Sequence, residues 1–386
     1  MNFSPSFALN CAGIIAAVLI AGCGDSDGRR EFELGKSAYE ANDLKGAEKY
    51  LEQSLKAAPD NIDAAICLAN VKAELDELSA AKGLIDKASL RDPNASDIIL
   101  LRAQIEYLAK DFASAIKDFT IIAENTGLSP ELRAQGYSGI GVVEMCCGNP
   151  HIARIAFLSA LRLDRRSAPA WYHLGMLYRD EFGFLEIAKD HFDAFVRIDE
   201  LASPRVQQVQ KKVIPALVDA ISRAMMARKG ADNRNSAKCA SALVKAEAAW
   251  KKGQYKTAHQ QYEAALKEDA LSYPAALGLA KAWEKTDSSK SGQAKALENY
   301  RLACALRPSD ASILITAGAL AAKLNFHSVS ADLYSRALAA KPNSLDAIDG
   351  LIRALRKEGG KNNIANAYQS YRDSLPKRKG ASTNKK

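Results

Sequence analysis

The sequence contains little proline and few aromatic residues: 12 prolines in 386 residues, and 7% aromatic residues. This scarcity excludes a collagen-like chain and a proline-rich disordered chain. Hydrophobic residues make up 48% of the chain and charged residues 25%, which is the composition of a globular protein. Ala, Leu, Lys and Glu, which favour helices, are abundant. The sequence therefore predicts a folded protein rich in helix.

Cysteines are also few, and their scatter does not suggest disulfides. Of the seven cysteines, five remain when the two nearest the N-terminus are set aside, and an odd, scattered set is no disulfide framework. Cys146 and Cys147 are adjacent, so a redox or metal role for this pair stays open. Against it, adjacent helical residues point about 100° apart, and no second pair completes a tetrahedral site. The other three fall in helical patterns, as small buried hydrophobes do: Cys67, Cys239 and Cys304.

Catalytic motifs are missing as well. The five histidines do not show a metal-binding spacing such as H-E-x-x-H. The glycine-rich run 136–141 (GYSGIG) has no predicted strand before it and fits neither a nucleotide-binding turn nor a nucleophile elbow. Gly359-Gly360-Lys361 lacks the first glycine of a phosphate-binding loop. We therefore expect neither an enzyme nor a bound cofactor or metal.

Charge is divided between the two halves of the chain. Residues 1–202 carry 21 Lys and Arg against 30 Asp and Glu, a net charge of −9, whereas residues 203–386 carry 32 against 15, a net charge of +17. Such a division can steer an acidic partner or an anionic surface to the basic half, an attraction that salt weakens. A solvated surface that is merely basic is the alternative.

The N-terminus has the pattern of an export signal. The apolar run Cys11–Gly22 is shorter than the roughly 20 residues that a membrane-spanning helix needs. Ile20-Ala21-Gly22-Cys23 follows and resembles the bacterial lipobox, although no Lys or Arg precedes the apolar run. The resemblance implies a signal peptide over 1–22, lipidation of Cys23, and a lipidated tether over 23–27. An ordinary cleaved signal or an apolar terminus are the alternatives.

The lipobox resemblance also implies a location. Two or three acyl chains anchor a protein stably, so we expect a lipid-anchored, periplasm-facing protein of the bacterial cell envelope. Gly24 in place of Asp after Cys23 favours the outer membrane over the inner one by analogy with enterobacterial sorting, while Asp25 and Asp27 weaken that inference.

A period of about 34 residues, a length typical of repeat proteins built from helical hairpins, runs through the rest of the chain. Pro59 and Pro93 lie one such period apart, and Pro308, Pro342 and Pro376 continue at the same interval. Proline lacks an amide hydrogen and its ring blocks the preceding helical turn, so each of these prolines should follow the end of a helix.

The segment Trp171–Tyr178 (WYHLGMLY) matches W-x2-L-G-x2-Y, and in this the chain resembles the tetratricopeptide repeat family. Small residues recur where the first and second helix of each repeat would cross. In the first helices they are Gly35, Ala69, Ala103, Gly141, Gly175, Ala246, Ala280 and Gly318. In the second helices they are Ala47, Ala81, Ala115, Ala153, Ala188, Ala258 and Ala296. A bulky residue comes four positions after each of these alanines, on the same helix face: Leu51, Ile85, Phe119, Phe157, Phe192, Tyr262 and Tyr300.

The resemblance implies an all-α fold, an α-solenoid coiled as a right-handed superhelix of about nine repeats. We expect an acidic array over 28–202 with about five repeats, and an irregular helical bridge and linker over 203–238 with a kink at Pro215. A basic array over 239–378 with about four repeats and a disordered basic tail over 379–386 would follow. An insertion over 286–292 predicts a longer turn between two helices.

In this family the first helix of each repeat lines a concave groove that binds proteins or peptides, so the resemblance implies a scaffold. We expect it to serve a cell-envelope machine, for outer-membrane protein assembly, pilus or secretion biogenesis, or polysaccharide export. Binding of an anionic envelope polymer or lipid surface through the basic half is the alternative, and nucleic acid is disfavoured. Carried over by position, the groove residues are Tyr107, Met145, Tyr172, Met176, Arg179, Trp250, Lys251, Lys281, Lys285, Lys323, Arg353 and Arg356.

Overall fold

A computed structural model describes residues 28–198, 204–228 and 236–376. Within these ranges the chain is helical and contains no strand, which confirms the predicted all-α solenoid. Contacts divide it into two compact units, 1–167 and 168–386. The predicted signal peptide, the tether with Cys23 and the tail over 379–386 lie outside the described residues. That residues 203–238 form a bridge and linker between an acidic and a basic array stays a prediction.

The first unit consists of four helical hairpins, each joined by a short turn. Its helices are α1 (Arg29–Glu40), α2 (Leu44–Ala57), α3 (Ile62–Glu74), α4 (Leu78–Arg91), α5 (Ser96–Leu108), α6 (Phe112–Glu124), α7 (Pro130–Cys146) and α8 (Pro150–Leu163). Helix α7 begins at Pro130, because proline suits the first helical position and the Ser129 hydroxyl accepts a hydrogen bond from the Leu132 amide.

The second unit contains one hairpin, an irregular helical segment and four further hairpins. Its helices are α9 (Ala168–Asp180), α10 (Leu185–Ile198), α11 (Pro204–Gln208), α12 (Ile214–Arg228), α13 (Ser236–Lys251), α14 (Tyr255–Glu268), α15 (Tyr273–Thr286), α16 (Lys290–Leu306), α17 (Ala311–Lys323), α18 (His327–Ala340), α19 (Leu345–Glu358) and α20 (Asn362–Ser374). A π-helical turn, Val209–Val213, joins α11 to α12. It lies directly before Pro215, whose missing amide hydrogen interrupts the α-helical ladder where the sequence predicts a kink.

The repeat formed by α15 and α16 differs from the prediction. The turn between α15 and α16 spans only residues 287–289, so the predicted longer turn is wrong. The Ser289 hydroxyl accepts a hydrogen bond from the Gly292 amide at 3.1 Å and starts the helix early. The inserted residues therefore lengthen α16 to 17 residues.

The core of each hairpin is a fit of small residues against large ones. The repeated alanines of the second helices, from Ala47 to Ala296, are each 0% exposed. The bulky residues four positions later are buried too, from Leu51 and Phe157 at 0% to Tyr262 at 7%. A Cβ atom built on Gly141 would lie 2.5 Å from the Phe157 ring. The ring thus fills the space that any larger residue at Gly141 would need.

The turn between the two helices of a hairpin is also repeated. A residue with positive φ follows the first helix at the same point in several repeats, including Asn42 at 61°, Asp76 at 63° and Asn325 at 65°. Asn and Asp tolerate this left-handed conformation better than most residues. The first helices of these repeats therefore end at equivalent positions, which fixes where their last side chains point.

Replacement of Gly141 by Ala should destabilise the protein by about 1–3 kcal/mol, because the added methyl group collides with the buried Phe157 ring. Gly83→Ala is the matched control, since nothing lies within 4 Å of a Cβ atom built at this exposed position of α4. It should stabilise the protein by up to about 1 kcal/mol through helix propensity. Urea unfolding followed by circular dichroism measures both. Equal effects of the two substitutions would contradict the packing described.

Candidate functional site

The predicted groove residues all lie on first helices of hairpins, and mostly in the C-terminal half of each helix. Tyr107 is on α5 and Met145 on α7 in the first unit. The remaining ten are in the second unit: Tyr172, Met176 and Arg179 on α9, Trp250 and Lys251 on α13, Lys281 and Lys285 on α15, Lys323 on α17, and Arg353 and Arg356 on α19. That these residues bind a partner stays a prediction.

In the first unit, Tyr107 connects two consecutive first helices. Its hydroxyl lies 3.7 Å from the Cys146 sulfur in the last turn of α7, and burial raises the pKa of the phenol. Tyr39 makes the equivalent contact, donating a hydrogen bond of 2.6 Å to Glu74 Oε1 at the end of α3. Tyr39 is not among the predicted residues, although it precedes Tyr107 by two periods of the repeat. The last turns of successive first helices are therefore neighbours.

Cys146 and Cys147 differ in exposure. Cys146 is half-buried and Cys147 is exposed at the C-terminal cap of α7. Burial, followed by the nearby Glu144 carboxylate, raises the pKa of the Cys147 thiol, and a raised pKa disfavours the reactive thiolate. In the ranges that the structure describes, no three His, Cys, Asp or Glu side chains cluster as ligands for a metal ion. A redox role for the pair stays open.

On α9 the predicted residues are held in contacts of their own. The Tyr172 ring packs edge-on against Phe192 and Phe195, with centroids 5.9 and 5.3 Å away, and the Arg205 guanidinium lies 5.1 Å above it. The Arg179 guanidinium pairs with Asp180 at 2.6 Å, and this pair raises the pKa of the arginine. The positive charge of Arg179 is thus neutralised by Asp180.

The four C-terminal first helices present a different surface. Lys251, Lys281, Lys285, Lys323, Arg353 and Arg356 are all exposed. The half-buried Trp250 ring meets the Tyr255 ring at 5.0 Å, and Lys285 Nζ lies 6.0 Å from the centroid of the same Tyr255 ring. Tyr255 and Phe326, which are 37% and 49% exposed, were not predicted. They lie at the start of second helices, and the sequence prediction considered first helices alone.

Two buried histidines are poor candidates for acid–base chemistry. Burial lowers the pKa of His173 to about 3 and that of His191 to about 4. Both imidazoles are therefore neutral near pH 7, and His191 stays hydrogen-bonded to the Ile187 carbonyl, 2.8 Å away. These histidines belong to the core of the hairpin.

A buried cluster of charges lies between α5 and α6. Arg102 Nε donates a 2.5 Å hydrogen bond to Asp118 Oδ2, and its Nη1 lies 3.1 Å from the Ser89 hydroxyl. Glu106, which is 7% exposed, lies one turn further along α5. Burial, followed by repulsion from Asp118, raises the pKa of the Glu106 carboxyl to about 7. A raised pKa can mark a catalytic acid, but this carboxyl is enclosed by the repeat core.

Two family models, each described as a tetratricopeptide repeat, match the chain, one over residues 38–105 and the other over residues 243–311. No curated protein matches the sequence significantly. Solved structures that are similar include pilF of Pseudomonas aeruginosa, at 18% identity over 65% of this chain and 96% of that chain with a TM-score of 0.40. A thermophilic TPR protein of Thermus thermophilus is 16% identical over 50% of this chain and 98% of that chain, with a TM-score of 0.42.

A helix that crosses a membrane is both long and apolar. In the described parts of the chain, no helix combines these two properties.

The raised pKa of Glu106 predicts a stability that depends on pH. Between its ordinary value of 4.5 and about 7, the folded state binds more protons than the unfolded state, so stability declines as pH rises through this window. Glu106→Gln removes that decline and should be more stable than the original protein by about 1–2 kcal/mol near pH 8. Urea unfolding near pH 5 and pH 8 measures the difference.

Glu124→Gln, at an exposed carboxyl of α6, is the control and should leave unchanged the difference in the free energy of unfolding between pH 5 and pH 8. If Glu106→Gln and the original protein showed the same pH dependence of stability, the pKa of the Glu106 carboxyl would be the same in the folded and unfolded states, which would contradict the prediction.

Proposed function

Because this chain is a tetratricopeptide repeat protein, we propose that it is a membrane-anchored scaffold that binds protein partners along the first helices of its repeats. Proteins with these repeats generally bind protein partners and typically act as non-catalytic scaffolds. In this proposal the protein recruits components of a cell-envelope machine, such as one for outer-membrane protein assembly, pilus or secretion biogenesis, or polysaccharide export.

The exposed side chains of the C-terminal first helices carry the proposal. The faces of these helices toward their second helices are filled by buried residues, for example Ala280 at 0% and Leu351 at 0% exposure. Lys281 and Lys323, by contrast, are exposed and take no part in that core. Such charged side chains, repeated along successive helices, can contact a bound partner and fix its alignment along the surface.

Site-specific photo-crosslinking in cells tests partner binding. A photoreactive amino acid at Lys281 or Lys323, on first helices, should give a small number of discrete protein adducts. The same amino acid at Lys267, an exposed position on the second helix α14, is the matched control and should give none of them. Adducts from all three positions alike, or none from the first helices, would contradict the scaffold proposal.

Lipidation of Cys23 is the second part of the proposal, supported by the Ile20–Cys23 sequence. The protein is then tethered to a membrane of the bacterial envelope and faces the periplasm, with the outer membrane favoured by Gly24. Two or three acyl chains suffice for stable anchoring, so the proposal does not need a membrane-spanning helix.

Labelling with radioactive palmitate tests the anchor. Cys23→Ala should abolish the label and release the protein from the membrane fraction, because the acylated sulfur is lost. Cys11→Ala, within the apolar run of the predicted signal, is the control and should retain both the label and the association with the membrane fraction. Labelling that persists in Cys23→Ala would show that this cysteine is not the anchor.

Binding of an anionic polymer or lipid surface is the alternative function, favoured by the net charge of +17 over residues 203–386. The photo-crosslinking arms distinguish it, since lipid or polysaccharide adducts in place of protein adducts at Lys281 and Lys323 would support it. Its binding should also fall steeply with salt.

A further inference from the structure

The described part of the first unit starts at one end of its first hairpin. Gly28 precedes α1, and its carbonyl oxygen accepts a hydrogen bond of 2.8 Å from the buried Ser54 hydroxyl, near the C-terminal end of α2. A Cβ atom built on Gly28 would lie 3.0 Å from the Cβ atom of Ala57, the last residue of α2. The chain therefore enters the first unit beside the C-terminal end of α2.

An apolar surface opens at the same end of α2. A cavity of about 480 Å³ is lined by residues of α2, α3 and α4 and of the turn before α3. Its apolar lining includes the half-buried Leu55 of α2, Ile62 of α3 and Leu84 of α4. Leu90 of α4 lines it too and is 86% exposed, the highest fraction among the large hydrophobic residues that the structure describes. Leucine side chains of α2 and α4 thus meet at one open surface.

Leu90 departs from the pattern of the other repeats. A single exposed leucine is ordinary on a protein surface. Of the other six hairpins that carry the repeated alanine, however, five have a charged residue nine positions after it, where α4 has Leu90. These charged residues are Lys56, Glu124, Arg162, Arg197 and Lys267. The hairpin of α3 and α4 therefore presents an apolar side chain where most others present a charge.

Basic side chains accompany this apolar surface. Lys87 lines the cavity itself, Lys56 directly follows Leu55, and Arg30 begins two residues after Gly28. All three are exposed, and within the part of the chain that the structure describes none of them forms an ion pair. Together with the exposed leucine they are named here the N-terminal patch: Arg30, Lys56, Lys87 and Leu90.

Two acids beside the patch are engaged by other groups. Asp60, which lines the cavity, pairs with Arg91. The Asp92 carboxylate accepts a hydrogen bond of 3.2 Å from a backbone amide of its own turn. The patch is thus locally basic, although residues 1–202 as a whole carry a net charge of −9.

Helix stability does not account for all of these charges. A cation near the C-terminus of a helix is stabilising, which explains Lys56 in the last turn of α2. Arg30, however, lies in the first turn of α1, where the helix dipole disfavours a positive charge. Its charge is therefore better explained by an anion outside the helix.

The proposed lipid anchor is close to the patch along the chain. Cys23 is five residues before Gly28, and five residues span at most about 18 Å when fully extended. A lipid on Cys23 would therefore hold the C-terminal end of α2 within about 18 Å of the bilayer, about two Debye lengths at physiological salt. The membrane is thus a surface that the N-terminal patch can reach.

Weak contacts are sufficient at such a distance. A few basic residues attract an anionic bilayer modestly, and one leucine adds a small apolar contribution. These contacts would bind a bilayer weakly from solution. A short tether raises the effective concentration of the membrane, so the same contacts can orient a protein that is already anchored.

We propose that the N-terminal patch docks the first two hairpins on the surface of an anionic phospholipid bilayer. In this arrangement Leu90 and the cavity beside it contact acyl chains, while Arg30, Lys56 and Lys87 contact lipid phosphates. The inference rests on the proposed function, since the anchor at Cys23 brings the patch to the membrane. It goes further in assigning a lipid-binding surface to the first unit.

The test measures contact between position 90 and acyl chains. The full chain, with a fluorescent amino acid in place of Leu90, is reconstituted in vesicles of phosphatidylcholine with about 30% phosphatidylglycerol, whose acyl chains carry bromine as a quencher. Quenching should be at least about threefold stronger than for the same amino acid at Ile121, an exposed apolar position on α6. Vesicles of phosphatidylcholine alone should reduce it to the level at Ile121, because the anionic headgroups are lost.

Matched variants locate the basic part of the patch. The combined substitution Arg30→Gln, Lys56→Gln and Lys87→Gln should lower the quenching at position 90 at least about twofold. The control variant removes the same number of positive charges from exposed lysines of the first unit that do not line the cavity, and its quenching should stay within about a fifth of the original. It carries Lys45→Gln, Lys49→Gln and Lys117→Gln. Circular dichroism should show that both variants remain helical.

Flotation of the same vesicles separates failure of this inference from failure of the anchor. If the chain floats with the vesicles but quenching is equal at Leu90 and Ile121, or falls equally in both combined variants, the docking inference is wrong and the anchor stands. If the chain does not float, the anchor is wrong and the inference falls with it. The scaffold role is judged separately, because photo-crosslinking at Lys281 and Lys323 reports protein partners of the second unit.

Discussion

The close contact between a small residue on one helix and a large side chain on the next determines the rest of this structure. Where Gly141 meets the Phe157 ring, a Cβ atom would come within 2.5 Å, so the ring lies directly against the backbone of the first helix. That contact sets the rotation of the first helix about its axis. Once one face is committed to the second helix, a residue five positions later points about 140° away. The exposure of Lys285, five residues after Ala280, follows from the packing of the alanine.

The sequence predicted the parts of the fold that depend on period and side-chain volume. The alanines and their bulky partners are buried as expected, and helices α2, α4, α16 and α18 each end before a repeated proline. The start of α7 and the turn before α16 were not predicted, because the serine caps at Ser129 and Ser289 decide them locally. The Tyr39–Glu74 contact spans 35 residues and depends on rotamers and on the rotation between repeats. A period alone does not specify those quantities.

Ion pairs join neighbouring helices of this protein, while other charges stay on the surface. In the first unit, Lys72 contacts Glu48, Glu52 and Glu77 together, and the hydrogen bond to Glu48 is the largest contribution that raises the pKa of the lysine. These contacts hold consecutive helices to one another. In the second unit Arg372 pairs in the same way with Asp349, across α19 and α20. Lys251, Lys285, Lys323 and Lys357, by contrast, form no ion pair among the described residues and are left on the surface.

The position of an exposed lysine on its helix is set by the packing of the repeat. In the longest repeat the inserted residues extend the second helix α16 to 17 residues and leave the first helix α15 at 14. Lys285 therefore keeps the same place as Lys251, five residues after the small residue of its helix, although Lys323 follows it by more than one period of the sequence.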